Sequence, residues 1–250
     1  MRFFLCLLSL LLVAPASTFA QARQATVLDG VYTAAQASRG RTAYNRYCRD
    51  CHLNDLEGGA LEPPLVTDLF LDAWREDYLL SLYDFINSRM PKGKKFTPGS
   101  LETQQYLDIV SYILSRNEFP AGKNELTTSG LVSILLVGLD GPQPLPPNAM
   151  VRVVGCFAVM DSNWRLLQSS QPVRVRTGDE TSVEEVTLSA AANPGDGEFL
   201  LNNLDIIHSV DELPAWTDRK VQVKGVLNGS GTNARIFVLS LEDTGVRCAQ

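Results

Sequence analysis

Cys48-Arg49-Asp50-Cys51-His52 is the stretch on which the reading of this chain turns. The spacing C-x-x-C-H is that of covalent haem attachment. Two thiols three positions apart at the end of a helix can each reach one vinyl group of a porphyrin. The adjacent histidine then points its imidazole at the iron from the same side. Two other chemistries use paired cysteines. A thioredoxin-like redox pair needs a βαβ setting, which the surrounding sequence lacks. Zinc needs more ligands, and the chain has no second C-x-x-C. One haem, tethered through Cys48 and Cys51 and ligated by His52, is the expectation.

Outward from this motif, three helical patterns fall between residues 34 and 120. Gly40, Ala43, Tyr44, Tyr47 and Cys48 recur at the spacing of one helix face. Leu79, Leu82, Tyr83 and Ile86 repeat it, as do Tyr106, Ile109, Val110 and Ile113. The last helix follows the breaker Pro98-Gly99, with Ser100 as its expected cap. A loop holding Gly58-Gly59 and Pro63-Pro64 separates the first two. After Met90, Pro91-Lys-Gly-Lys-Lys continues no helix. The sixth iron ligand follows by elimination: the chain has 2 histidines, and His208 lies far from the motif. Met90 is the one methionine between residues 34 and 125. A thioether suits low-spin iron and raises its potential relative to a second histidine. The alternative is an ordinary core methionine, with the sixth position open or taken by His208.

With these residues in hand, positions 34–125 resemble a class I c-type cytochrome domain. The resemblance is carried by the helix Gly40…Tyr44 running into C-x-x-C-H, by Pro63-Pro-Leu65, and by Phe70 with Trp74. Met90-Pro91 and a closing helix with Tyr106, Tyr112 and Ile113 complete it. It implies an all-α domain whose first and last helices cross at Gly40 and Tyr112. It also implies that a backbone carbonyl, of Pro63 or its neighbour Pro64, holds the His52 imidazole N–H. Leu65 would line the haem face and Trp74 would reach a propionate. Leu65, Phe70 and Trp74 also serve as plain core residues, a role compatible with the first.

After Pro120-Ala-Gly-Lys-Asn-Glu the texture turns to β. Val151-Arg-Val-Val-Gly155 and Val221-Gln-Val-Lys-Gly225 share a V-x-V-x-G frame with strand alternation. Val173–Arg176, Val183–Leu188, Phe199–Leu201 and Arg235–Leu241 are further strand candidates, punctuated by turn residues. The expected architecture is α+β in two domains: the cytochrome domain at 34–125, then a linker at 126–148 with a strand in Leu131–Leu139. A small all-β domain, barrel or sandwich and OB-like in outline, follows at 149–250. Trp164 and Trp216 read there as core residues or, alternatively, partner anchors, and His208 as a plain surface or core histidine with no metal pattern around it.

The chain opens with Arg2, an apolar run from Phe3 to Val13 and small residues up to Ala20, the form of a removable secretory leader at 1–20. No later apolar run reaches the roughly 18 residues of a membrane helix, so no integral membrane segment is expected after cleavage. Of 5 cysteines, Cys6 departs with the leader, and Cys156 and Cys248 remain to pair as a disulfide in an oxidising space. The formal charge of −6 argues against nucleic-acid binding. Arg89, Lys92, Lys94 and Lys95 around Met90 suggest a basic collar that steers an acidic redox partner, or a merely solvated loop. The expected function is periplasmic single-electron transfer by one covalent haem c, serving a dehydrogenase or terminal oxidase. The alternatives are a cytochrome subunit of a larger dehydrogenase complex and a haem enzyme with an open iron site.

Overall fold

The computed structural model describes residues 24–60, 62–93, 95–178, 181–231 and 234–248. The expected leader and Lys94 lie outside the described residues. On the N-terminal side, strand β1 (Ala25–Thr26) precedes helix α1 (Ala34–Tyr47), the single turn α2 (Arg49–His52) and α3 (Thr67–Trp74). Strand β2 (Asp77–Tyr78), helices α4 (Leu79–Arg89), α5 (Thr103–Arg116) and α6 (Thr128–Leu131), and strand β3 (Ile134–Leu136) follow. Thr33 starts α1, its hydroxyl accepting the Gln36 N–H at 3.1 Å. The apolar stripes Leu79/Leu82/Tyr83/Ile86 and Tyr106/Ile109/Val110/Ile113 point into one shared core with Ala43 and Tyr44.

Helices α1 and α5 meet backbone to backbone at Gly40. A Cβ there would overlap the Asp108 carbonyl and lie 2.8 Å from the Tyr112 Cβ. Beside the crossing, Tyr44 and Tyr112 pack with ring centroids 5.4 Å apart. Arg39 holds buried Asp108 through two hydrogen bonds of 2.9 and 3.0 Å and reaches Glu125 as well. Because Arg39 is half exposed, that ion pair is worth no more than about 1 kcal/mol. The close approach is the larger constraint.

Two local expectations give way. Helix α5 starts at Glu102, not Ser100: the Glu102 N–H donates to Gln105 Oε1 at 3.1 Å. Ser100 instead closes the Pro98-Gly99 turn, accepting the Thr97 N–H at 3.2 Å. Helix α3 forms inside what reads as loop. Its consecutive apolar residues Leu69, Phe70 and Leu71 hide the stripe, and Leu69 faces out at 66 % exposure while Phe70 and Trp74 go in. Residues 126–137 do more than connect. Gln36 exchanges two hydrogen bonds with the Leu126 backbone, of 3.0 and 2.7 Å. Strand β3 lies between β1, parallel, and β2, antiparallel, with Ile134 and Leu136 in the helical core.

The C-terminal half is mostly sheet. It comprises β4 (Met150–Met160), β5 (Asn163–Ser169), β6 (Val173–Arg174), helix α7 (Val183–Ala191) and β7 (Gly197–Asn202). Helix α8 (Leu204–Ile207), β8 (Arg219–Asn228) and β9 (Arg235–Arg247) complete it. The pairings run β4–β5–β7–β9–β8 and return to β4, with β7–β9 parallel and the others antiparallel. The two V-x-V-x-G frames are partners across β4 and β8: Val153 faces Val223, and each glycine faces the other frame's first valine. Neighbouring strands press on both glycines. A Cβ at Gly155 would lie 2.8 Å from Leu166 Cγ, and one at Gly225 would overlap the Phe237 carbonyl. Cys156 and Cys248 form the expected disulfide.

The expected strand at Val183–Leu188 is instead helix α7. Ser182 and Glu185 form a reciprocal capping box, each side chain 3.2 Å from the other's backbone N–H, and this overrides the β-branched Val183, Val186 and Thr187. Strand β5 went unread in the sequence. It returns from β4 through Asp161-Ser162, both at positive φ (50° and 61°), a tight two-residue hairpin turn made without glycine.

The halves touch through arginines. From β6 and just beyond it, Arg174 donates to the Asp72 carbonyl at 2.9 Å and Arg176 to that of Ala73, satisfying carbonyls at the C-terminal end of α3. The Arg176 guanidinium lies over the Trp74 ring, 3.4 Å from its centroid, and Arg152 lies over Tyr78 at 4.9 Å. A cleft of about 800 Å³ opens beside them between α4 and the sheet half, lined among others by Ser81, Asp84, Arg176, Glu185 and Lys224.

Replacing Gly40 with valine should cost about 3 kcal/mol or more by forcing the helices apart. Thermal unfolding of the variant measures it. A loss under about 0.5 kcal/mol would mean that the crossing yields freely.

Candidate functional site

The end of α1 delivers the motif. Cys48 caps that helix, its N–H bonded to the Tyr44 carbonyl at 2.8 Å, and α2 then turns once. The Cys51 and His52 N–H groups both return to the Cys48 carbonyl, at 3.2 and 3.0 Å, and Leu53 ends the turn at φ 63°. Cys51 is exposed, Cys48 half-buried, and both carry free thiols. His52 is buried, at 7 % exposure, and its Nδ1 lies 3.0 Å from the Pro63 carbonyl oxygen. A carbonyl can only accept, so Nδ1 carries the proton and Nε2 keeps its lone pair for a metal.

The loop that supplies Pro63 is pinned at several points. Tyr44 donates to the Leu53 carbonyl at 2.7 Å, and the Leu65 N–H bonds to the Leu56 carbonyl at 2.8 Å. Asn117, beyond α5, donates to the Leu65 carbonyl at 2.9 Å. Leu65 is half-buried against the helical core, and so is Met90. Met90 caps α4 with its N–H on the Ile86 carbonyl at 2.9 Å, while its own carbonyl accepts the Tyr106 hydroxyl at 3.0 Å.

The sequence-expected residues therefore fall into two groups. Cys48, Cys51, His52 and Pro63 come together directly. Cys48, Leu65 and Met90 all pack on the same helical core. Trp74 sits at the seam between the halves, its ring edge-on to Phe85 and covered by Arg176. Burial pushes the Cys48 thiol up to about 12, the opposite of the activated thiolate that a redox pair needs. Among the described residues no group of three His, Cys, Asp or Glu side chains stands close enough to hold a metal ion. The donors suit a tethered porphyrin better than zinc. Residues 35–113 match the family model described as cytochrome C oxidase, cbb3-type, subunit III. This region is a c-type cytochrome domain.

The matched span runs from α1 into α5 and encloses the whole constellation. No curated protein and no solved structure gives a match. A c-type cytochrome domain carries haem c, transfers electrons through it and exchanges them with a redox partner. Among the described residues no helix is long and apolar enough to cross a membrane.

Basic side chains gather around the cytochrome motif from two segments. Arg46 lies over the Tyr47 ring at 5.2 Å, Tyr47 meets Phe96 edge-on at 4.8 Å, and Lys95 lies over Phe96 at 5.5 Å. Arg49, Arg89 and Lys92 are exposed as well, Arg49 3.8 Å from Asp50 and Arg89 over the Phe85 ring at 5.5 Å. The sequence pointed to the cluster after α4 but missed Arg46, whose place beside Lys95 depends on the Tyr47–Phe96 contact. It also missed Tyr106, Asn117 and Arg176 as supports of site residues. Each acts across a long sequence separation and carries no local signature.

Tyr106→Phe should lower the unfolding free energy by about 1 kcal/mol by leaving the Met90 carbonyl short of a donor. Chemical denaturation reads the loss. An unchanged midpoint would show the carbonyl satisfied without it.

Proposed function

We propose that this protein is an exported mono-haem cytochrome c that carries single electrons between redox partners. The observation that carries the reading is the His52 Nδ1–Pro63 carbonyl contact of 3.0 Å beside two free thiols one turn apart. In this reading Cys48 and Cys51 would hold one haem through thioethers, and His52 Nε2 and the Met90 sulfur would ligate its iron. When bound, haem takes up and releases one electron as its iron cycles between the ferrous and ferric states. The Pro63 carbonyl fixes the His52 tautomer and ring plane and raises the basicity of Nε2. Leu65 would keep water from the haem, and Trp74 would offer its indole N–H to a propionate. A sphere filled by nitrogen and sulfur leaves no place for substrate, which favours a carrier over an enzyme.

We draw the cytochrome domain over 34–125, the linker over 126–148 and the β domain over 149–250, with the leader at 1–20 directing the chain to the periplasm. The ring of strand pairings, with its one parallel pair, supports an OB-like barrel for the β domain. That outline fixes no ligand, and docking to the partner or to another subunit is the role we assign it. The partner is a dehydrogenase or a terminal oxidase with an acidic face. The description of the matched family, a cytochrome C oxidase subunit, is what leads us to keep an oxidase among the candidates.

Three experiments test this. Haem stain should persist on the full-length band of a denaturing gel and vanish in the Cys48→Ser, Cys51→Ser double variant. In the ferric protein the weak far-red band of methionine-ligated iron should disappear in Met90→Ala; its persistence would remove Met90 from the iron. Exchanging Lys92, Lys94 and Lys95 for glutamine should slow electron transfer to the partner and flatten its dependence on salt. Unchanged rates would sink the docking role of these lysines.

A further inference from the structure

Asp77 is the most deeply buried carboxylate at the seam between the halves, at 2 % exposure. Its two oxygens are treated differently. Oδ1 accepts the Tyr78 N–H and the Ser81 hydroxyl, each at 2.7 Å. Among the described residues Oδ2 has no hydrogen-bond partner, and the nearest cation, Arg176 Nε, stops 4.0 Å away. A charged carboxylate with one bare buried oxygen and a guanidinium just beyond bonding distance is an unstable arrangement. A neutral carboxyl tolerates it.

Arg176 is held back by other partners: it donates to the Ala73 carbonyl and covers the Trp74 ring. The remaining groups around Asp77 are engaged too. From the sheet side, Arg152 lies over Tyr78 and pairs with Glu185, and Arg174 donates to the Asp72 carbonyl. On its own segment, Glu76 accepts the Gln143 N–H at 3.0 Å and lies 3.5 Å from Arg75. Strand β3, paired with β2, brings no titratable side chain. Among the described residues Arg176 is thus the cation with a short path to Oδ2.

We propose that Asp77 is a proton-operated switch for Arg176. With the carboxyl neutral, the guanidinium stays stacked on Trp74 and bonded to Ala73; with the carboxylate charged, it leaves the indole and pairs with Oδ2. The proton passes to and from water through the adjoining cleft, which Ser81 and Arg176 both line. Burial raises the Asp77 carboxyl to about 6, so the change falls in mildly acidic solution. The sign follows. The folded chain binds this proton more tightly than the unfolded chain, so the group's contribution to stability falls as pH rises from the ordinary carboxylate range to about 6. The switch is independent of which residues ligate iron.

The test uses the full-length haem-loaded protein, kept reduced and labelled with fluorotryptophan. Of the 3 tryptophan fluorine signals, that of Trp74 is assigned by its absence in Trp74→Phe. In the wild type it should shift with a midpoint near 6. In Asp77→Asn, whose amide oxygen still accepts from Tyr78 and Ser81, it should stay at its acid position throughout. In Arg176→Gln it should not titrate. Thermal unfolding at each pH checks that the variants are folded, and should show the wild type losing ground to Asp77→Asn as pH rises. A static Trp74 signal in the wild type, or one that still titrates in Asp77→Asn or in Arg176→Gln, overturns the proposal. Should Asp77→Asn not fold, the wild type and Arg176→Gln decide alone.

Discussion

The approach of α1 to α5 at Gly40 sets the position of everything that follows it in the chain. Helix α1 ends eight residues later at Cys48, so the angle at which it crosses α5 fixes where both thiols and the His52 ring emerge. Helix α5 anchors the other components from the same frame. Its Tyr106 takes the Met90 carbonyl, and Asn117 just past its end takes the Leu65 carbonyl. One helix pair therefore positions the motif, the loop facing it and the segment after α4. Nothing bulkier than hydrogen can occupy position 40 without moving all three.

The motif and the apolar stripes were legible because their signals are local. C-x-x-C-H is five consecutive residues, and the faces of α4 and α5 repeat with the helical period. The errors share a cause as well. Helix α7 carries Val183, Val186 and Thr187, a strand-like composition, and only the Ser182–Glu185 cap reveals the helix. Strand β5 is recognisable chiefly through its pairing with β4 and β7; Asp161-Ser-Asn163 reads as a turn but does not announce the strand after it. The seam was beyond reach. That Arg176 meets Trp74 across about a hundred residues is a product of tertiary packing, to which local propensity is blind.

Charge is distributed unevenly over a chain that is acidic as a whole. Arg46 and Lys95 meet through the Tyr47–Phe96 contact beside the cytochrome motif, where the field felt by an approaching partner is set by nearby groups and the net −6 is largely screened. At the seam the arginines have different work. Arg152 and Arg176 stack on aromatic rings while their remaining donors reach acceptors, a combination lysine lacks, and Arg174 donates to a backbone carbonyl.

Those three side chains make the two halves less separable than the sequence suggests. A helix normally finds its terminal carbonyls a cap within its own next few residues; here α3 receives two of them from a strand about a hundred positions later. Cut away from the β half, the helical half would keep its family motif yet present an indole to water and leave backbone oxygens to solvent. The boundary drawn by family resemblance and the boundary of a self-sufficient folding unit therefore do not coincide.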